Sequence, residues 1–136
     1  MTQPVENLVV AVAAIVDAVT GILQVPVNPP DTVSVPTFAV VYLRSGTIDN
    51  GVVGMKKALH TMNIDVLTKR TDLSRDMAKV KPFLDLVPAA LLADPTLTAT
   101  AQTFDSISYE LLVTDYGGVP MIGYKFSVNG IKILTA

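Results

Sequence analysis

Apolar side chains recur at steps of three and four along the start of the chain. Val5, Leu8, Val9, Val12, Ile15, Val16 and Val19 follow that spacing, which gathers them on one side of a helix. Pro4 suits its first turn and Gly21 closes the pattern. The opposite side carries no charge run but Ala11, Ala13, Ala14 and Ala18, with Val10 beside them. Small side chains let a second backbone come close, so the pattern predicts a helix covered on both sides.

The period then changes. Residues 24–37, "QVPVNPPDTVSVPT", hold Pro26, Pro29, Pro30 and Pro36. Proline removes a donor and fixes φ, so this is read as an extended connector, with Val25, Val27, Val33 and Val35 to bury. Phe38 to Ser45, "FAVVYLRS", is apolar on both faces apart from Arg44, the pattern of a central strand. Asp49-Asn50-Gly51 signals a turn, and Ile48, Val52, Val53 and Met55 surround it. From Ala58 to Lys69 the chain alternates, with Met62, Ile64 and Val66 on one face and Thr61, Asn63 and Asp65 on the other. Together these predict a long β-hairpin with an apolar tip.

A second helix is expected from an N-cap at Thr71 or Asp72, with Leu73, Met77, Val80, Leu84, Val87 and Leu91 at helical steps. Pro82 and Pro88 interrupt it, and Lys81, ahead of Pro82, is pushed from helical φ/ψ, so a kink or break is expected there. Two strands close the chain. Ile107, Tyr109, Leu111 and Val113 alternate with Ser106, Ser108, Glu110 and Thr114 in the first, within Gln102 to Tyr116. Gly117-Gly118 turns the chain, and Ile122, Tyr124, Phe126 and Val128 share a face of the second. After Asn129-Gly130 the apolar parity moves to Ile131 and Ile133, as a bulge or a second turn would cause. The expected fold class is α+β: a mostly antiparallel sheet packed against two main helices, the second kinked or broken, in a single domain over 1–136.

Composition adds a constraint. Only 16 % of residues are charged, against a usual value of about 25 %. With 50 % hydrophobic residues and a mean hydropathy of +0.48, part of the exterior is expected to be covered by protein. A membrane does not take that role in this reading. The longest apolar run, Leu8 to Val16, is far shorter than the roughly twenty residues of a spanning helix, and no basic residue precedes Arg44, as a secretory signal would require. The absence of Cys excludes disulfides, thiolate zinc and a Cys nucleophile. Lys56-Lys57 and Lys69-Arg70 lie in a mildly basic stretch without interleaved aromatics, so no specific nucleic-acid surface is expected.

Catalytic patterns are missing too. His60 is the only histidine, with no nucleophile or carboxylate at a motif spacing, and is read as a strand residue at a surface or interface. Asp72 and Asp76 stand one turn apart, where they suit the positive end of a helix better than a metal. Gly46 and Gly51 have phosphate-loop spacing, but Val52 and Val53 replace the Lys and the hydroxyl residue it needs. "LRSGT" is no nucleophile elbow. No enzyme, cofactor or metal site is expected.

The stretch "RTDLSRDMAKVKPFLDLVPAALLADPTLTATAQTFDSISYE", with the strand pair after Gly117 and the length of 136 residues, resembles the tail terminator (tail completion) proteins of long-tailed bacteriophages. The likeness covers most of 58–136 and only loosely the first third. It implies a virion structural protein: a homohexameric ring that caps the tail tube, ends its polymerisation and offers a surface for head attachment. Its partners would be other copies of itself, the major tail tube protein and the head-tail connector, with DNA passing the lumen. It would be assembled in the host cytoplasm and sit at the head-proximal end of the virion tail. Under this resemblance, Ile48, Val52, Val53, Met55, Lys56 and Lys57 are expected to grip the tube or a neighbour, and Ala11, Ala14 and Ala18 to pack subunits together. Asp105 and Glu110 are expected to face the lumen. The alternatives are a head-tail stopper or minor tail protein, or a small ligand-binding domain. The last would have a pocket between the first helix and the sheet, anchored by Tyr109, Tyr124 or Arg44.

Overall fold

Four antiparallel strands and three helices make up the computed structural model, which describes residues 5–19, 22, 25, 37–49, 56–70, 72–94, 96–97, 103–116 and 118–135. In chain order these are α1 (Val5–Asp17), β1 (Thr37–Asp49), β2 (Lys56–Lys69), α2 (Leu73–Val80), α3 (Phe83–Leu92), β3 (Ser106–Tyr116) and β4 (Val119–Thr135). The sheet order is β1-β2-β4-β3. The fold is α+β, as the alternation of apolar periods predicts. No helix among the described residues is long and apolar enough to cross a membrane.

The helices lie over one face of the sheet. Leu8, Val12 and Val16 of α1 and Phe83, Val87 and Leu91 of α3 bury themselves on Ala39 and Val41 of β1, Met62, Ile64 and Val66 of β2, and Phe126, Val128 and Ile131 of β4. A smaller core occupies the other face: Phe38, Val40, Leu67 and Met121, with Tyr42, Leu112 and Val119 at its margin. Gly123 lies in the row between Leu67 and Leu112, where an added Cβ would meet the Val66 carbonyl oxygen. The strands approach too closely there for a side chain.

The second helical segment breaks where Lys81-Pro82 predicts. α2 ends at Val80, α3 starts at Phe83, and Asp72 caps α2 by accepting from the Arg75 N–H. Pro88, expected to interrupt, lies inside α3 without ending it. The buried ladder of Phe83, Val87 and Leu91 outweighs the roughly 3 kcal/mol of helix propensity that an internal proline loses. Beyond α3, Leu97 has φ +50 and a fully buried side chain. A left-handed leucine costs roughly 1–2 kcal/mol, and burying it returns roughly 1.5–3, so the "LLADPTL" corner is held by its last residue.

One strand departs from the sequence reading. Phe38 to Ser45 was expected to be central, yet β1 is an edge strand. Phe38 and Val40 point into the smaller core and Ala39 and Val41 into the larger one, so both faces are covered although only β2 pairs with it. The apolar run reports two buried faces, not two neighbouring strands.

Two bulges face each other across Thr61 of β2. On β1, Leu43 pairs with Met62 and Ser45 with Thr61, leaving Arg44 extra. On β4, Val128 pairs with Met62 and Ile131 with His60, leaving Asn129 and Gly130 between. Gly130 has φ +67, and β4 runs on beyond it, which selects the bulge over a second turn. Asn129 Nδ2 lies 3.3 Å from Ser106 Oγ and 3.2 Å from Ser108 Oγ, tying the bulge to β3.

Candidate functional site

Sequence-predicted residues fall into three groups. Val52, Val53 and Met55 lie outside the described residues, while Ile48, Lys56 and Lys57 close the strand ends that lead to the hairpin tip. In α1, Ala14 and Ala18 stand outside with Val10, which is 56 % exposed, on one line four residues apart. Ala11 and Ala13 turn into the chain's own interior instead, so the outer stripe is narrower than the sequence suggests. Asp105 and Glu110 are both exposed but do not meet. Asp105 sits beside the β4 bulge, its N–H donating to the Asn129 carbonyl at 2.8 Å. Glu110 is paired across strands with Lys125.

The helix-free face carries a polar network that the alternation marked but did not join. Ser127 Oγ donates to Asn63 Oδ1 (2.9 Å), Asn63 Nδ2 to the Tyr42 hydroxyl (3.4 Å), and the Tyr42 hydroxyl to Asp65 Oδ2 (3.1 Å). Each donor feeds the next acceptor from β4 through β2 to β1 and back to β2. Asp65, Asn63 and Ser127 are buried, and Asp65 Oδ1 has no hydrogen-bond partner. Burial pushes the Asp65 carboxyl above its ordinary value of 3.8, against the lowering effects of the Tyr42 hydrogen bond and the Lys125 charge.

Above this network lies an open depression of about 340 Å³ lined by Arg44, Ser108, Tyr109, Glu110, Lys125 and Ser127. Arg44 keeps the alternation of Phe38, Val40 and Tyr42 and so stands on this face, and the β1 bulge that follows shifts the register only from Ser45 onwards. The depression is lined by two cationic residues, one carboxylate and three hydroxyl-bearing residues. It presents no pairing of a nucleophile with a base, so its chemistry is that of holding a polar group. It also lies on the sheet face opposite the helices, whereas the sequence reading put a pocket under the first helix; Tyr124 instead packs at the edge of the larger core.

His60 is buried within the chain, at 8 % exposure, rather than lying at a surface or interface. The bulge at Asn129-Gly130 keeps it in step with Ile131 on the helix-covered face. Its Nε2 has no hydrogen-bond partner, Gly46 leaves room beside its Nδ1, and burial lowers its pKa. The Asp72–Asp76 pair serves the helix start: Asp76 Oδ2 accepts the Asp72 N–H at 3.0 Å. Among the described residues no group of three or more His, Asp or Glu side chains could hold a metal ion.

The feature that sequence reasoning missed is at the other edge. The helices pack over β1, β2 and β4. On β3, Tyr109, Leu111 and Val113 are 59 %, 51 % and 54 % exposed. The Tyr109 ring lies edge-on to Tyr124 at 6.0 Å and tilted on Phe126 at 6.4 Å. The alternation of this strand identified an apolar face; the shortage of charge along the chain was the one hint that the face was bare. No protein-family model matches the chain, and no curated protein matches it.

Proposed function

We propose that this chain is a bacteriophage tail structural protein whose ring caps the tail tube, ends its polymerisation and offers the head-attachment surface. The observation that carries the reading is that, beside Leu59, Leu86 and Leu92, exposed apolar side chains line up in two separate stripes, Val10, Ala14 and Ala18 on α1 and Tyr109, Leu111 and Val113 on β3. A ring is built head to tail, so every subunit covers two unlike patches. The resemblance over residues 58–136 supplies the tail; the two patches supply the ring. The partners are then further copies, the tube protein and the connector, at the head-proximal end of the virion. A stopper or minor tail protein shares this chemistry.

The reading assigns tube attachment to the hairpin tip. Reversing Lys56 and Lys57 to Glu leaves the melting temperature unchanged and abolishes capping when the chain is added to polymerising tube protein from the same genome. Electron microscopy of the products decides. Wild-type chain gives short tubes closed at one end by a ring, and tubes that grow unchecked in its presence contradict the reading.

The depression over Asp65 favours a second reading, a small domain that binds a charged ligand through Arg44 and Lys125. A rise in melting temperature with a small carboxylate, lost in Arg44→Ala, would support it.

A further inference from the structure

Edge strands in natural sheets carry devices against pairing with a second chain: a proline, a lysine, a bulge or a covering element. Among the described residues β3 has none of them. Its sequence, "SISYELLVTDY", contains neither Pro nor Lys nor Arg. Its register with β4 runs without a shift from Ser106 opposite Asn129 to Tyr116 opposite Val119. Among the described residues it pairs on one side alone, and Tyr109, Leu111 and Val113 on its apolar face are open to solvent.

We propose that β3 pairs antiparallel with β3 of a second copy, about a two-fold axis at Leu111, giving a dimer with a continuous eight-stranded sheet. The occupant follows from the register. A two-fold axis perpendicular to the sheet keeps like faces together, so only same-parity residues can stand opposite each other. Centring the pair on Glu110 would set two carboxylates against each other and bring Asp105 opposite Asp115, which is destabilising. Centring it on Leu112 would set Tyr109 against Asp115 and leave Ser106 and Ile107 without partners in the second strand. Centring it on Leu111 uses every residue of β3 and places no like charges opposite. Tyr109 then faces Val113 and Ser108 faces Thr114, each pair occurring twice. Aromatic with β-branched and hydroxyl with hydroxyl are both favourable cross-strand pairs, each contributing roughly 0.2–1 kcal/mol.

The dimer goes beyond the ring reading and does not depend on it. If both hold, they compete for β3, and the dimer is the form of the chain away from a tube.

The absence of cysteine makes the test direct. Leu111→Cys places two thiols across the axis with Cα atoms about 4.5–5.5 Å apart, inside the range a disulfide spans. Val113→Cys places them four residues out of step, about 13 Å apart, and serves as the control. Under mild oxidation Leu111→Cys is expected to give a covalent dimer and Val113→Cys to stay monomeric on non-reducing gels. Light scattering of the wild type should report twice the 14.4 kDa chain mass. Leu111→Lys should halve that mass while keeping the melting temperature that the wild type shows when diluted to monomer, which separates loss of pairing from loss of fold. A wild type monomeric at all concentrations overturns the proposal, as does equal cross-linking of the two cysteine variants. Failure of tube capping would leave these outcomes untouched, since they concern the free chain alone.

Discussion

The two edges of this sheet differ more than any other pair of elements in it. β1 and β3 are both edge strands, of 13 and 11 residues. In β1, Phe38, Ala39, Val40 and Val41 are all fully buried, on alternating faces. In β3, no residue with a described side chain is buried. One edge is sealed over Thr37–Val41 as thoroughly as an interior strand, before Arg44–Thr47 come out to solvent; the other is open along its backbone and its apolar face. Position in a sheet therefore does not decide burial. What lies over the faces decides it, and the helices and the smaller core lie towards β1.

The sharpest way to break this contrast is truncation at matched places. Phe38→Ala should cost about 3–5 kcal/mol of unfolding free energy, the range for a buried aromatic. Leu111→Ala should stay within about 0.5 kcal/mol, as surface changes do, when measured at a concentration low enough for monomer. Urea denaturation of both variants checks the pair, and comparable losses would erase the distinction.

The smaller expected effect is on pH dependence, and it comes from two buried groups on β2, His60 and Asp65. His60 is buried and its pKa lies below 6.5. The unfolded chain therefore takes that proton before the folded one, and stability falls as pH drops through the ordinary imidazole range. Melting curves between about pH 7.5 and 5.5 should show the loss, and His60→Gln should reduce it. Asp65 works in the opposite sense: its raised pKa means that the folded chain binds the proton first, adding stability on acidification towards the carboxylate range.

Much of the fold was legible because it depends on local chemistry. Asp72 at the helix start, the break at Lys81-Pro82 and the bulge at Asn129-Gly130 are each fixed by residues within a few positions. The errors came from information that is not local. "FAVVYLRS" records that both of its faces are covered, and says nothing of how many strands flank it. The alternation of "SISYELLVTDY" divides two faces correctly but cannot say whether a helix from elsewhere reaches the apolar one. His60 was assigned to a surface or interface: its alternation with Met62, Ile64 and Val66 gives its face, but what covers that face comes from elsewhere in the chain. The polar network had the same origin: Tyr42, Asn63, Asp65 and Ser127 come from three strands and share a face only through register.

Amide hydrogen exchange as a function of protein concentration addresses the central claim most directly, because it reads both edges in one experiment. With β3 as the surface that a second copy covers, the amides of Ser106–Tyr116 should become slower to exchange as concentration rises, while those of Phe38–Val41 stay equally slow throughout. Rapid exchange along β3 that is the same at every concentration would contradict it.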